Sequence, residues 1–127
     1  MHVVSDTYTA IAEKLRDIGG IDDVGVVSKE GQTAIVYSGG KDIKKYFDGM
    51  KKQSVLFQIS GMCNNDSQPE LVKRLCAIGE TLKKSTPEII GISQPKIRIN
   101  SPPTPKMHDQ HYWIYSMTAE IIFYTKG

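Results

Sequence analysis

The sequence predicts an α+β fold, in which a sheet of about five or six strands carries two main helices. Two segments repeat apolar residues at helical spacing, and each has only one apolar side. Several other segments are rich in β-branched and aromatic residues and alternate apolar with polar residues, which is typical of strands. With 127 residues, the chain is expected to form a single domain spanning residues 1–127.

Composition and charge narrow the classes of protein. Hydrophobic residues make up 39% and charged residues 24%, as in globular proteins. The net charge of +2 favours neither nucleic acid nor a membrane surface as partner. Apolar runs are short, so we expect no membrane span and no signal peptide. Cys63 and Cys76 form neither a zinc motif nor a disulfide framework, which favours a reducing intracellular compartment.

The first helix is predicted over residues 6–18, with Ser5 or Asp6 as its N-cap. Gly19 and Gly20 are expected to end it, because glycine accepts the left-handed conformation found after helix ends. Its apolar stripe consists of Tyr8, Ile11, Ala12, Leu15 and Ile18. Because only one side is apolar, the helix is expected to lie on a sheet.

The next strands are predicted at residues 24–27 and 33–37, joined as a hairpin by a turn at residues 29–32. Ser38, Gly39 and Gly40 are expected to end the second strand. Residues 43–48 then predict a short strand of mixed charge at an edge of the sheet.

Asp48-Gly49 is a strong turn signal, and residues 53–61 after it predict a strand with one buried side. Residues 62–66 are expected to form a loop. Ser67, followed three residues later by Glu70, predicts a capping box that begins a helix ending near residue 84. Its stripe is Leu71, Leu75, Ile78 and Leu82, widened by Val72 and Cys76.

The C-terminal third predicts two strands separated by a proline-rich segment. Residues 96–100 form the first strand, and Pro102 and Pro103 stiffen a loop expected to project through residue 110. Residues 112–124 form the last strand. One side is apolar and should meet the helices, namely Trp113, Tyr115, Met117, Ala119, Ile121 and Phe123. The other side is mixed and suggests a partner surface.

No recognisable catalytic motif is present, so we predict no enzyme, no catalytic residues, no cofactor and no metal. His108, Asp109 and His111 could ligate a metal, but no further ligand completes a tetrahedral set. Cys76 is expected to be a small core residue rather than a nucleophile. An enzyme would need a metal or a substrate pocket around the two histidines.

Three lysine doublets leave a nucleic-acid binding module as the alternative: Lys44-Lys45, Lys51-Lys52 and Lys83-Lys84. If strand pairing across the Asp48-Gly49 turn joins the first two doublets, they form a basic patch. Charge doublets are more commonly solvated, however, and the aromatic residues that would stack on bases lie mainly in the last strand.

The order of elements resembles the tail terminator and minor capsid proteins of tailed phages. The resemblance is carried by the segments TYTAIAEKLRDIGG, YFDG at residues 46–49, VLFQIS, PELVKRLCAIGETL and HYWIYSMTAEIIFYTKG. It implies an antiparallel sheet with both helices on one face. It also implies a structural subunit of the virion tail, assembled in the host cytoplasm into a ring, typically a hexamer.

The resemblance further implies the partners. These are copies of the chain itself, the tail-tube protein and a head-connector or stopper protein, with DNA passing through the lumen without specific binding and no membrane involved. A ring requires two different complementary surfaces on each subunit. The residues that we predict for these surfaces are Lys44, Lys45, Tyr46, Asp48, Pro102, Pro103, Tyr112 and Ile114.

Overall fold

A computed structural model gives the fold of residues 2–27, 29–46, 48–89, 91–108 and 111–126. Side chains are described for these residues except 2–7, 41 and 126. The elements are α1 (His2–Gly19), β1 (Asp23–Val24), β2 (Thr33–Lys45), β3 (Met50–Asn64), a 3₁₀ turn (Asn65–Ser67), α2 (Gln68–Lys84), β4 (Ser93–Ile99), β5 (Thr104–His108) and β6 (Tyr112–Lys126).

The described strands form one mixed sheet in the order β1-β2-β3-β6-β4, and β5 also pairs with β6. Every pair is antiparallel except β1 with β2, which is parallel. β4 and β5 share the outer edge of β6, since β4 pairs with its second half and β5 with its first half. The predicted α+β class is therefore confirmed, whereas a purely antiparallel sheet was wrong for one pair.

Both helices pack on the same face of the sheet. The predicted stripe of α2 is buried, and so are Met117, Ala119, Ile121 and Phe123 of β6. Side chains of β3 at Val55, Phe57 and Ile59 complete the same core. Gly61 continues this row, where a Cβ atom would clash with Leu71 of α2. The side chains at every second strand position are thus buried against the apolar stripes of the helices, and together they form one core layer.

The predicted start of α1 was wrong, whereas α2 begins directly after Ser67 as predicted but lacks the predicted capping box. α1 begins at His2, so Ser5 and Asp6 lie within the helix rather than at its N-cap. Before α2, Ser67 makes no side-chain capping bond. Instead the Asn64 side chain accepts from the backbone amides of Asp66 and Ser67. Asn64 therefore caps the 3₁₀ turn that leads into α2, while Ser67 occupies the N-cap position of α2 without a side-chain bond.

The predicted hairpin between residues 24–27 and 33–37 was wrong, because β1 runs parallel to β2 and only two residues pair. The Asp22 carboxylate accepts from the backbone amide of Thr33, at 2.8 Å, and from its hydroxyl, at 3.1 Å. The Gly31 amide, in the predicted turn, donates to Met62 of β3. These bonds direct the loop towards β3, so it cannot close a hairpin.

Ser38, Gly39 and Gly40 do not end a strand, since β2 continues through them to Lys45. The chain bulges between Tyr37 and Gly39 and again between Asp42 and Lys44. Glycines in a strand are typical of such bulges. The separate strand predicted at residues 43–48 is therefore the end of β2, and its Phe47 lies outside the described residues.

β3 and β5 extend into segments that were predicted as loops. β3 spans Met50–Asn64, so residues 62–64 belong to the strand. The proline-rich segment was predicted to project as a loop through residue 110, but from Thr104 it forms β5 at the edge of the sheet, and all side chains of β5 are exposed. Pro102 and Pro103 precede this strand. Proline lacks the backbone amide hydrogen. An edge strand tolerates this loss because its outer side has no partner strand to accept the bond.

Truncation of the α2 stripe should destabilise the protein strongly. Leu75 is fully buried whereas its neighbour Cys76 is exposed. We expect Leu75→Ala to lower the free energy of unfolding by about 2–5 kcal/mol, because it leaves a cavity. Cys76→Ala should change it by less than about 0.5 kcal/mol. Urea unfolding followed by circular dichroism measures both, and equal effects would contradict this packing.

Candidate functional site

The second face of the sheet carries no helix, and we call it the helix-free face. It is formed by the even-numbered side chains of β3 and β6, which alternate with the core residues. In β6 these are Tyr112, Ile114, Ser116, Thr118, Glu120, Ile122 and Tyr124. Most are partly exposed, so the face combines accessible apolar side chains with a polar centre.

The polar centre is a cluster around Glu120, a residue only 6% exposed. Its carboxylate accepts a hydrogen bond from the Ser54 hydroxyl. It also accepts from Arg98 Nε at 2.7 Å and from Asn100 Nδ2 at 3.3 Å. Three strands and the residue after β4 therefore converge on one buried negative charge, which is the arrangement that such a charge requires.

These contacts lower the pKa of the Glu120 carboxyl. The hydrogen bond from Ser54 is the largest cause, and the bonds from Arg98 and Asn100 act in the same direction against burial. The cluster lines a shallow depression of ≈ 320 Å³. Because the Arg98 side chain stays 61% exposed, the guanidinium offers donors to a partner from a fixed position.

Sequence reasoning missed this cluster. A signal was present, because Glu120 interrupts the apolar second half of β6 and Arg98 stands between Ile97 and Ile99. Two opposite charges at central positions of strands indicate a cross-strand pair. What the sequence does not show is that β4 pairs with β6 in the register that puts Arg98 opposite Glu120.

The first two lysine doublets are neighbours, as the prediction required for a basic patch. The register places Lys44 opposite Lys52 and Lys45 opposite Lys51. Strand alternation splits each doublet between the two faces, so Lys44 and Lys52 share the helix-free face. On the helix-free face the basic patch therefore contains two of these four lysines.

Two tyrosines accompany these lysines on the helix-free face. Lys44 Nζ lies 5.2 Å from the ring centroid of Tyr46, and Lys52 Nζ lies 5.9 Å from that of Tyr124. The two tyrosine centroids are 6.2 Å apart. We call Lys44, Lys52, Tyr46 and Tyr124 the lysine–tyrosine cluster. The ammonium-to-ring distances are those of cation–π pairs.

The predicted interface residues fall into two groups. Lys44, Lys45, Tyr46 and Asp48 lie at the end of β2 and in the turn after it. Pro102, Pro103, Tyr112 and Ile114 lie between β4 and β5 or at the start of β6. The register places Lys52, the partner of Lys44, opposite Tyr124, and Tyr124 is about 40 Å from Tyr112 along an extended strand. Tyr112 and Ile114 therefore lie at the opposite end of the sheet from the first group, whereas Pro102 and Pro103 lie beside the middle of β6, between Ile99 opposite Ala119 and Thr104 opposite Ser116.

The histidines of the predicted HDQH segment contact aromatic rings. His108 stacks on Trp113 with centroids 4.0 Å apart, and His111 lies edge-on to Tyr112 at 6.3 Å. Asp109, like Gln110, lies outside the described residues. Within the ranges that are described, no three His, Cys, Asp or Glu side chains group as metal ligands.

The prediction that Cys76 is a core residue was wrong. Cys76 is exposed, whereas Cys63 at the end of β3 is buried. Cys76 was expected in the core because it follows Leu75, but the stripe of α2 is narrow and Cys76 lies outside it. Burial raises the pKa of the Cys63 thiol, which keeps it protonated and less nucleophilic at neutral pH.

No protein-family model matches the chain, and no curated protein matches it either. Among the described helices, neither has the length and apolar character needed to cross a bilayer.

The Glu120 cluster should make stability depend on pH. The folded-state pKa lies below the ordinary value of 4.5, so the stabilisation is complete above that value and disappears as the pH falls through the folded-state pKa. At pH 7, Glu120→Gln should lower the free energy of unfolding by about 1–3 kcal/mol, because charge-assisted bonds are lost. This difference from the unmodified protein should shrink in acid.

Urea unfolding at a series of pH values measures the effect. Glu13→Gln, which removes one exposed carboxylate from α1, serves as the control and should leave stability nearly unchanged at every pH. A Glu120→Gln penalty that stays constant from neutral to acid pH would contradict the assignment.

Proposed function

We propose that the protein is a structural subunit that assembles with copies of itself into a ring. The supporting observation is a single sheet with two unlike open edges. β1 covers only Ala34 and Ile35, so none of the strands described here pairs with the outer edge of β2 beyond Ile35. On the other side, β4 and β5 have no outer partner within the described residues. Unpaired edges are templates for pairing with another chain.

Each open edge carries an exposed apolar side chain. Ile43 in β2 is 44% exposed and Met107 in β5 is 63% exposed. Ile43 adjoins Lys44 and Lys45, and Met107 lies opposite Ile114. Both therefore adjoin residues predicted for the ring interface. A contact between different edges of neighbouring subunits is head-to-tail, and such contacts close into rings when the rotation permits.

Backbone pairing of the two edges does not by itself define a specific contact. Lysine and proline at sheet edges also oppose pairing with arbitrary strands. Lys45 ends β2, and Pro105 lies in β5. The interface therefore also needs side chains near those edges. Tyr112 and Ile114 on the helix-free face supply apolar surface, and Tyr112 is 39% exposed. Aromatic residues of this kind commonly anchor protein–protein contacts.

The role of the ring follows from the resemblance to tail terminators and minor capsid proteins of tailed phages. On that basis the ring ends growth of the tail tube and joins the tail to the head connector. This assignment rests on the order and length of the elements, among them the helix at residues 69–82 and the closing strand at residues 111–127. It requires no reaction, since the subunit acts by fitting its neighbours.

Placing charge on either open edge should prevent ring assembly. We expect Ile43→Glu and Met107→Glu each to convert the oligomer to smaller species, since each buries an unpaired carboxylate at the contact. Ala77→Glu, which adds the same group to the exposed side of α2, is the control and should leave assembly intact. Light scattering and negative-stain images of the purified proteins measure the outcome.

Mixing the two edge variants tests the head-to-tail arrangement itself. Each variant keeps one sound edge, so an equimolar mixture should form dimers of the two variants but no rings. If the mixture stays monomeric, or if charge reversal of Lys44 and Lys45 leaves assembly unchanged, the end of β2 is not the interface. If the unmodified protein stays monomeric alone and with its tail tube, the proposed function is wrong.

A further inference from the structure

The side chains of the lysine–tyrosine cluster lie on the helix-free face, although Lys44 and Tyr46 also belong to the end of β2 that we propose as a ring interface. Lys52 belongs to β3 and Tyr124 to β6, which are interior strands of the sheet. Lys96 joins them from β4, because its partner Ile122 is also on the helix-free face. One end of this face thus presents three amines, at Lys44 of β2, Lys52 of β3 and, beyond β6, Lys96 of β4.

The nearby carboxylates form their described hydrogen bonds with groups other than these amines. Asp42 accepts from Gln53 Nε2 at 2.7 Å, and Asp48 accepts from the backbone amide of Met50 at 3.0 Å. Glu120 is held by Ser54, Arg98 and Asn100. The described salt bridges include none of the three lysines. The amines therefore favour an anionic partner.

Charge is distributed unevenly along the sheet. Lys83 and Lys84 end α2 at the same end as the cluster, because α2 runs back from the end of β3 towards the start of β4. At the opposite end, Glu30 accepts from Asn64, and Asp66 lies in the 3₁₀ turn. This asymmetry would orient a polyanion towards the cluster rather than towards the far end.

The two tyrosines add a feature that a simple anion site does not need. Tyr46 is 38% exposed, and together with Tyr124 and Asp48 it lines a depression of ≈ 370 Å³, with Lys44 and Lys52 beside the two rings. Aromatic rings beside a positively charged groove provide stacking platforms for unpaired bases. The amines can contact phosphates while the rings contact bases, so the two chemistries match one polymer.

We infer that the lysine–tyrosine cluster binds single-stranded nucleic acid, with Tyr46 and Tyr124 stacking on bases and Lys44, Lys52 and Lys96 contacting phosphates. Duplex DNA would meet only the lysines, since its bases are already stacked. Binding should therefore be stronger for single strands than for duplexes and should depend weakly on sequence.

Fluorescence anisotropy with a labelled oligothymidylate, at increasing NaCl, tests the inference. Three phosphate contacts predict a slope of about −2 for the logarithm of the binding constant against the logarithm of salt. The variant Lys52→Ala/Lys96→Ala should reduce the slope to about −0.7. Lys73→Ala, on the exposed side of α2, is the control and should leave both slope and affinity unchanged.

The tyrosines are tested by a matched pair of variants. Tyr124→Ala should weaken binding of the oligothymidylate about 5- to 150-fold, while binding of a duplex of equal length changes little. Tyr124→Phe keeps the ring and should retain most of the affinity. Equal losses for single strand and duplex, or a loss with Tyr124→Phe as large as with Tyr124→Ala, would overturn stacking.

Failure of this inference differs visibly from failure of the proposed ring. The variants used here alter the face and leave Ile43 and Met107 intact, so light scattering should show unchanged assembly. No binding of oligothymidylate at low salt, or binding only to vesicles containing phosphatidylserine, would overturn the nucleic-acid inference while leaving the ring standing. Nucleic-acid binding by a protein that never assembles would overturn the ring alone.

Discussion

The pairing of β3 with β6 is the constraint on which the rest of the structure depends. Both strands contain 15 residues, and they pair from Met50 opposite Lys126 to Asn64 opposite Tyr112. Along this ladder odd positions face the helices and even positions face away. A slip of one residue would exchange the two faces, placing Glu120 in the core and Phe123 in solvent. The packing of the helices and the composition of the Glu120 cluster and the lysine–tyrosine cluster all depend on this register.

The ladder also separates the surfaces that the two proposals use. β3 and β6 occupy the interior of the sheet, so their neighbours on either side become its edges. The edges differ because β2 runs beyond its short partner β1, whereas the other side is divided between β4 and β5. Unlike edges suit a head-to-tail ring, and the face between them stays accessible at the lysine–tyrosine end.

Hydrophobic periodicity predicted the parts of the fold in which local pattern and packing agree. The stripe of α2 and the apolar side of β6 were correct because each buries one side against the same core. The errors arose where tertiary contacts override local signals. Glycines that usually end a strand form a bulge in β2, and Asp22 redirects the loop before Thr33. The proline-containing strand β5 can pair with β6 because an edge strand uses only half of its backbone amides in the sheet.

The candidate surfaces were less predictable than the fold. The Asp48-Gly49 turn between the first two lysine doublets predicted that they are neighbours. The division of each doublet between the two faces depends on the strand register, which the sequence does not show. The Glu120 cluster joins residues from β3, β4 and β6 that are far apart in the chain. Sequence pattern reports which residues are buried, yet it does not report which distant strands become neighbours. That information comes only from the assembled sheet.

The central claim is that β2 offers its open edge to another copy of the chain. Amide hydrogen exchange tests this claim most directly. Exchange of residues 36–45 should slow markedly between dilute and concentrated protein, because pairing with a neighbour satisfies the free amides. Amides of β3, which already pair on both sides, should exchange equally slowly at both concentrations. Exchange in residues 36–45 that is independent of concentration, in a sample where light scattering shows rings, would contradict the account.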